Sequence, residues 1–302
     1  MIQQLAGLLS VAMCFILVGS SYPIAQEAMN SIPTWTFTLI TFIIGFLFLL
    51  PLSLKSEKTN WFAISKRDWL IICVLSLLGA VLYTVFLLYG LPSTTAVTAS
   101  VVTSASPAVV LLLSVVFFRE KLKVNAVISV ALAVISVIIM TLPSAQGASG
   151  NSMTGLVFLC LSTLANSLNI IIANKMAPGI KPMTMAAGVC LTGAIFSIPM
   201  SVHELQSFSL SQISGHDMGI MVYYGIFVWA LPYFLFFKGI NKISATSAGM
   251  CVALTPVASM LCAVIGFGQS ISHTDLIATA VIILSVFASE MTFKKRANKA
   301  LA

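Results

Sequence analysis

Residues 90–123 read GLPSTTAVTASVVTSASPAVVLLLSVVFFREKLK, and residues 239–272 read GINKISATSAGMCVALTPVASMLCAVIGFGQSIS. Laid over each other at an offset of 149, the two stretches need no gap. Gly90 meets Gly239, Ala96 meets Ala245, Ala99 meets Ala248, Pro107 meets Pro256, Leu112 meets Leu261, Val115 meets Val264 and Phe118 meets Phe267. A few identities arise by chance in apolar text, but two prolines coinciding in the middle of apolar runs do so far less readily. The offset is about half of a 302-residue chain, so the chain reads as one unit written twice. The copies end differently: Arg119-Glu120-Lys121-Leu122-Lys123 in the first, the chargeless Gly268-Gln269-Ser270-Ile271-Ser272 in the second. Two copies of one unit diverge in this way when they are held to opposite sides of a membrane.

Composition says that the solvent is a membrane. Hydrophobic residues make up 59% of the chain and charged residues 8%, with a mean hydropathy of +1.06. A soluble domain carries roughly 25% charged residues to cover its surface. Apolar runs fall near 5–22, 35–54, 69–90, 93–117, 124–142, 153–173, 183–201, 218–238, 244–266 and 274–293. Each is close to the ~20 residues that cross a hydrocarbon core. The expected fold is an all-α integral membrane protein of ten transmembrane helices. The first run has no Lys or Arg before it and nine similar runs after it, so it is expected to stay as the first helix rather than act as a secretory signal. Cys14, Cys73, Cys160, Cys190, Cys251 and Cys262 lie inside the runs with no paired spacing, and are expected as buried free thiols.

The charges give an orientation. With a cytoplasmic N-terminus, the inside segments hold Lys55, Lys58, Lys66, Arg67, Arg119, Lys121, Lys123, Lys175, Lys181, Lys238, Lys242, Lys294, Lys295, Arg296 and Lys299, which is every Lys and Arg in the chain. The positive-inside rule is met without exception and puts both ends in the cytoplasm of a cell (inner) membrane. His203, His216, Glu27, Glu204, Asp217, His273 and Asp275 then lie outside. The net charge of +7 is thus a topology signal spread over short loops beside anionic lipid, not a nucleic-acid footprint. Five runs per copy is an odd number, so the second copy inserts upside down. The expected division is 1–147 for the first five-helix repeat and 148–302 for the inverted second.

Three stretches resemble a known family. Gly90-Leu91 through Ala99, with Pro107 and Phe117-Phe118-Arg119-Glu120-Lys121-Leu122, resembles the fourth helix of EamA-type drug/metabolite transporters. Ile243-Ser244-Ala245-Thr246 with Leu254-Thr255-Pro256-Val257 resembles the ninth, and Val18-Gly19-Ser20-Ser21-Tyr22 resembles the end of the first. The chain departs from that pattern where no Trp precedes Gly19 and where Gln269 replaces a common Glu. The resemblance covers both halves and implies a ten-helix carrier of amino acids, nucleotide sugars, amines or drugs, in plan most like the aromatic-amino-acid and paraquat exporters.

No Asp, Glu, Lys, Arg or His falls near the middle of any run, and embedded carboxylates are the usual seat of proton coupling. The candidates for a site are therefore neutral. The fourth helix carries Ser100, Thr103, Ser104 and Pro107, of which Ser100, Thr103 and Pro107 share a face, and Ser244, Ala248, Cys251, Thr255 and Ser259 share one of the ninth. Pro107 and Pro256 cannot donate to the carbonyls of Thr103 and Val252, which marks a hinge at matching depth in both halves. Ser162, Asn166 and Asn169 make one face of the sixth helix, which must point inward either as packing glue or as cavity lining. Tyr83, Trp229 and Tyr233 sit inside their spans and away from the aromatic belt, where they serve either bundle packing or an aromatic solute; Trp35, Trp61, Trp69 and Tyr89 read as interface anchors. The expected substrate-binding set is Tyr83, Ser100, Thr103, Asn166, Asn169, Trp229, Tyr233, Cys251 and Thr255.

These readings point to a secondary transporter, in the exporting direction, of a small organic metabolite such as an amino acid or amphipathic solute. The expected partners are that solute and the lipid bilayer, with no cofactor, metal or nucleic acid, in a monomer or homodimer. A non-coupled pore for small neutral solutes is the alternative. A membrane enzyme fits less well: Gly147-Ala148-Ser149-Gly150 matches a serine-protease motif, but no His lies in any span to activate Ser149.

Overall fold

The structure, a computed structural model, describes residues 2–118, 124–141, 152–176, 180–240, 242 and 251–300, and among them it is helical with no strand. Arg119 to Lys123, Gly147 to Gly150, and Ser244 and Ala248 lie outside the described residues. The first half begins with α1 (Ile2–Ala28) and α2 (Thr34–Ser56). Then α3 (Lys66–Ser76) runs through a π segment (Leu77–Leu82) into α4 (Tyr83–Gly90). α5 (Ala96–Thr103) and α6 (Ser106–Phe118) are the two parts of one broken rod, and α7 (Val124–Thr141) follows. The second half has α8 (Met153–Met176) and α9 (Pro182–Glu204), then α10 (Gly215–Tyr223), a second π segment (Tyr224–Ala230) and α11 (Leu231–Ile240). It closes with α12 (Leu254–Phe267) and α13 (His273–Ala300). Seven of these rods are long and apolar enough to cross a membrane, and Val124–Met140, Leu254–Phe267 and His273–Ala288 are shorter apolar helices.

Local sequence sets the helix starts. Thr95 accepts from the amide of Thr98 to open α5, and Ser65 accepts from that of Asp68 to open α3. Ser214 and Asp217 form a reciprocal capping box at α10; each such cap satisfies amides that the helix leaves unpaired. α12 stops at Gly268, which takes the left-handed φ of 60° that glycine adopts without a Cβ clash.

The two halves repeat in detail. α2 lies against α9 and α7 against α13; α1 lies against α11 and α12, while α8 lies against α4 and α6. Exchanging each helix for its counterpart maps this set of contacts onto itself. The two π segments correspond, and so do the two breaks: turn residues Ser104 and Ala105 interrupt α5–α6, and turn residue Ala253 precedes α12 at the offset of 149. The matched glycines have matched work. A Cβ on Gly90 would meet Leu159 at 2.9 Å and the Gly155 carbonyl at 3.1 Å; one on Gly239 would meet Val11 at 2.7 Å and the Gly7 carbonyl at 2.6 Å. Each glycine lets its helix approach the backbone of the first helix of the other half. Between α7 and α13, Ser285 donates to the Ser129 carbonyl at 2.7 Å and Ser136 to the Ala278 carbonyl at 2.8 Å, again a pair related by the offset.

A third pair was not legible in the sequence. The Glu204 carboxylate, at the end of α9, accepts from the amides of Trp35 (3.1 Å) and Thr36 (2.8 Å) and from the Thr36 hydroxyl (3.0 Å). The Glu57 carboxylate, just past α2, accepts from the amides of Met183 (2.8 Å) and Thr184 (2.9 Å) and from the Thr184 hydroxyl (2.7 Å). Each helix of the antiparallel α2–α9 pair thus caps the N-terminus of the other, and a carboxylate there also meets the positive end of the helix dipole.

Large side chains such as Phe37, Phe42, Leu49, Ile72 and Leu87 fill the interior, whereas Leu9, Leu47, Val116 and Ile265 are exposed. An apolar outer surface of this kind suits lipid rather than water. The expectation that all six thiols are buried needs correction. Cys14, Cys190 and Cys251 are buried, Cys73 and Cys262 are half-buried, and Cys160 is exposed, because apolar text on both sides of a lipid-facing helix does not say which side points inward.

Candidate functional site

The broken and π-distorted rods converge on the middle of the bundle. A cavity of about 400 Å³ is lined there by α1, α4, α8, both π segments and α11, its walls including Phe15, Tyr83, Asn166, Tyr224, Trp229, Tyr233 and Phe236. A second lobe of about 250 Å³ adjoins it along the break, lined by Tyr22, Thr103, Ser104, Ser106, Pro107 and Thr255 among others. Phe15, Val18, Tyr83, Asn166 and Ile170 line both lobes, so the two share a wall. A π turn carries an extra residue, which widens the helix and redirects the side chains after it. Tyr83 sits at the end of one such turn, and Trp229 sits inside the other.

The break between α5 and α6 is held by side chains. The Tyr22 hydroxyl lies 2.7 Å from the Thr103 hydroxyl and 3.3 Å from that of Tyr83, tying α1, α4 and α5 together at the floor of the second lobe. The Thr103 hydroxyl donates to the Ala99 carbonyl at 2.8 Å. The carbonyl that Pro107 cannot reach is not left open: Ser106 donates its hydroxyl to Thr103 O at 2.7 Å. This corrects the expectation of a free acceptor at Thr103, since the serine before the proline supplies the missing donor. Pro107 itself falls in the first turn of α6, where a proline costs no ladder bond.

No Asp, Glu, Lys, Arg or His is among the residues that line either lobe. Polarity comes from hydroxyls, one amide and the indole. Asn166 donates weakly to Ser106 Oγ at 3.4 Å. Trp229 packs on Phe42 with ring centroids 4.7 Å apart, and its Nε1–H is buried without an acceptor among the described residues. The Ser104 hydroxyl is likewise buried and unpartnered.

Of the residues expected at a site, Tyr83, Thr103, Asn166, Trp229, Tyr233, Thr255 and Pro107 are brought together here. Ser100, Asn169, Cys251 and Pro256 are not among the lining. Ser100 is fully buried and turns back on the Val97 carbonyl at 2.8 Å. Asn169 is pressed against Gly79, so closely that a Cβ there would overlap its amide, and it acts as the packing glue that was the other reading of its face. Tyr22, Tyr224, Phe15 and Ser106 join the cavity from outside the expected candidates, and so does Ser104, polar on the fourth helix but outside the expected set. Ser106 directly precedes the proline, which was a usable signal; Tyr22 stood out only as the end of the first-helix resemblance, and Tyr224 lay in apolar text with nothing to single it out.

Side chains also tie the helices together at the end of the bundle that holds the α1–α2 link. Gln26 Nε2 donates to the carbonyls of Thr94 (2.8 Å) and Leu91 (3.3 Å), and Gln269 Nε2 donates to Gln26 Oε1 at 3.3 Å. At the same end His216 meets Glu27 at 3.1 Å, and Ser31 donates to Asp217 at 2.7 Å.

Comparison with known proteins agrees with this architecture. The chain is 26% identical to the uncharacterized transporter YetK of Bacillus subtilis, over 97% of this chain and 89% of that one. It is 24% identical to an uncharacterized transporter of Archaeoglobus fulgidus, over 74% of this chain and 78% of that one. A protein of known crystal structure superposes with a TM-score of 0.67 at 19% identity, covering 94% of this chain and 96% of its own; that likeness speaks to the fold alone. The EamA-like transporter family model matches twice, over residues 5–142 and 153–290, and the chain, a membrane transporter rather than an enzyme, belongs to that family.

Proposed function

We propose that this transporter carries a small, amphipathic organic metabolite through the two-lobed central cavity by alternating access, in the exporting direction. The observation that carries the reading is the cavity itself: neutral, aromatic and hydroxyl-lined, and bounded by the interrupted helices of both halves. Pockets with few polar groups among aromatic walls suit an amphipathic solute. The reading includes ten spans arranged as two inverted five-span repeats, divided near residue 147, with both termini cytoplasmic. The paired contacts support the repeat, and the placement of Lys and Arg supports the orientation. Tyr83, Thr103, Asn166, Trp229, Tyr233 and Thr255 touch the solute, and the breaks beside Pro107 and Pro256 act as hinges. In the exchange of states, the Thr94–Gln26–Gln269 clasp opens.

Counterflow in proteoliposomes tests this. Vesicles loaded with unlabelled solute should accumulate labelled solute transiently, with saturable kinetics, and Tyr83→Ala or Trp229→Ala should impair it without loss of folded protein. A pore gives linear, non-exchanging flux. That result, or wild-type kinetics in both variants, sinks the proposal.

A further inference from the structure

The cavity holds three neutral polar groups with bonding capacity that the bundle leaves unused. Trp229 is 7% exposed and Ser104 is 6% exposed, and neither the indole Nε1–H nor the serine Oγ has a partner among the described residues. Buried donors are almost always paired in folded proteins, and both orphans belong to residues that line the lobes, where a ligand's polar atom would satisfy them. Asn166 stands where the lobes join. Its amide nitrogen makes one long bond of 3.4 Å to Ser106, which leaves a carbonyl acceptor and a second N–H for a solute. The set is therefore one donor in the larger lobe, a donor–acceptor pair at the junction, and a hydroxyl in the smaller lobe.

Resting on the transport reading, we propose that the solute is an uncharged planar compound bearing a carboxamide or lactam edge. The amide edge pairs with Asn166, since an amide matches its own donor–acceptor pattern in reverse. A carbonyl or ring nitrogen of the solute accepts from Trp229 Nε1–H. The ring lies in the larger lobe against Tyr83, Tyr224, Tyr233 and Phe236, whose faces favour offset or edge contacts with a planar system. Ser104 takes up a substituent that reaches into the smaller lobe. Neutrality follows from the lining. A buried ion needs a counter-ion or several strong partners, and a zwitterion needs two such sets; the walls supply neutral dipoles alone.

Matched pairs that differ by one charge test this. With purified full-length protein in lipid nanodiscs, binding is measured for nicotinamide against nicotinate and for indole-3-acetamide against indole-3-acetate. The amide of at least one pair is expected to bind about tenfold or more tightly than its acid, the ratio expected when a buried charge goes unpaired. Trp229→Phe keeps a ring and removes the N–H; it should weaken the amide about three- to tenfold, the worth of one neutral hydrogen bond. The unliganded variant should melt no lower than wild type, because it loses an unsatisfied donor. An acid that binds as tightly as its amide, or the absence of saturable binding by either amide at millimolar concentration, overturns the inference. Transport through the cavity survives that result if the solute that does cross is still impaired by Trp229→Phe and Asn166→Ala; it falls with it if neither variant matters.

Discussion

The reciprocal carboxylate caps on α2 and α9 give the sharpest quantitative test of the pseudo-symmetry. Glu204→Ala removes an acceptor from two backbone amides and one hydroxyl at the start of α2, and Glu57→Ala does the same at the start of α9. Loss of a helix cap costs about 0.5–2 kcal/mol, and hydrogen bonds to a charged acceptor lie at about 1.5–3 kcal/mol. Water at the membrane surface can reach the freed amides, so about 1.5–2 kcal/mol for each alanine variant is the working figure. The Gln variants keep one acceptor oxygen and lose the charge at the helix dipole, so they should cost about half as much. Unfolding entropy for a chain of this size is about 0.6 kcal/mol per degree, so each alanine variant should melt about 3 °C below wild type. The caps lie at opposite ends of 23-residue helices, about 34 Å apart. The double variant should therefore lose about the sum, near 6 °C. Thermal denaturation of the purified protein in one fixed detergent reads all three values. Wild-type melting in either single alanine variant, or one variant far more damaging than its counterpart, refutes the account of matched caps.

Gly19→Ala should destabilise by about 1–3 kcal/mol, because its Cβ would run into the Thr255 backbone carbonyl and lie 2.8 Å from Ala258 Cβ. Gly79→Ala meets first the Asn169 side-chain amide, which can shift where a backbone carbonyl cannot, and should be milder; equal melting temperatures for the two would contradict this. Pro107→Ala and Pro256→Ala should each slow counterflow severalfold while melting within about 2 °C of wild type, and should differ in which side of the membrane reaches Thr255→Cys; unchanged flux in both removes the hinge. Ser272→Cys in a cysteine-free background should react with an impermeant maleimide from outside intact cells, and labelling only after the inner membrane is opened would reverse the orientation.

The residues set by one-dimensional constraints were legible in the sequence. A span must be apolar over its whole length, the positive charges must stay on one side, and a repeat must keep its prolines and its close-approach glycines, so Pro107 and Pro256 or Gly90 and Gly239 could be paired by eye. Which face of each helix looks inward was not legible. A helix in lipid is apolar toward its neighbours and toward the bilayer alike, so periodicity does not mark the buried side. Each π segment also adds a residue to its turn, rotating the rest of the helix by about 100° and spoiling any face extrapolated across it. That is why Tyr22 and Tyr224 reached the cavity unforeseen, while Ser100, Asn169 and Cys251 turned away from it. The caps made by Glu57 and Glu204 were illegible too, because each carboxylate binds a helix about 130 or 170 residues away in the chain. Such partnerships depend on which helix ends lie side by side, and only the packed bundle decides that.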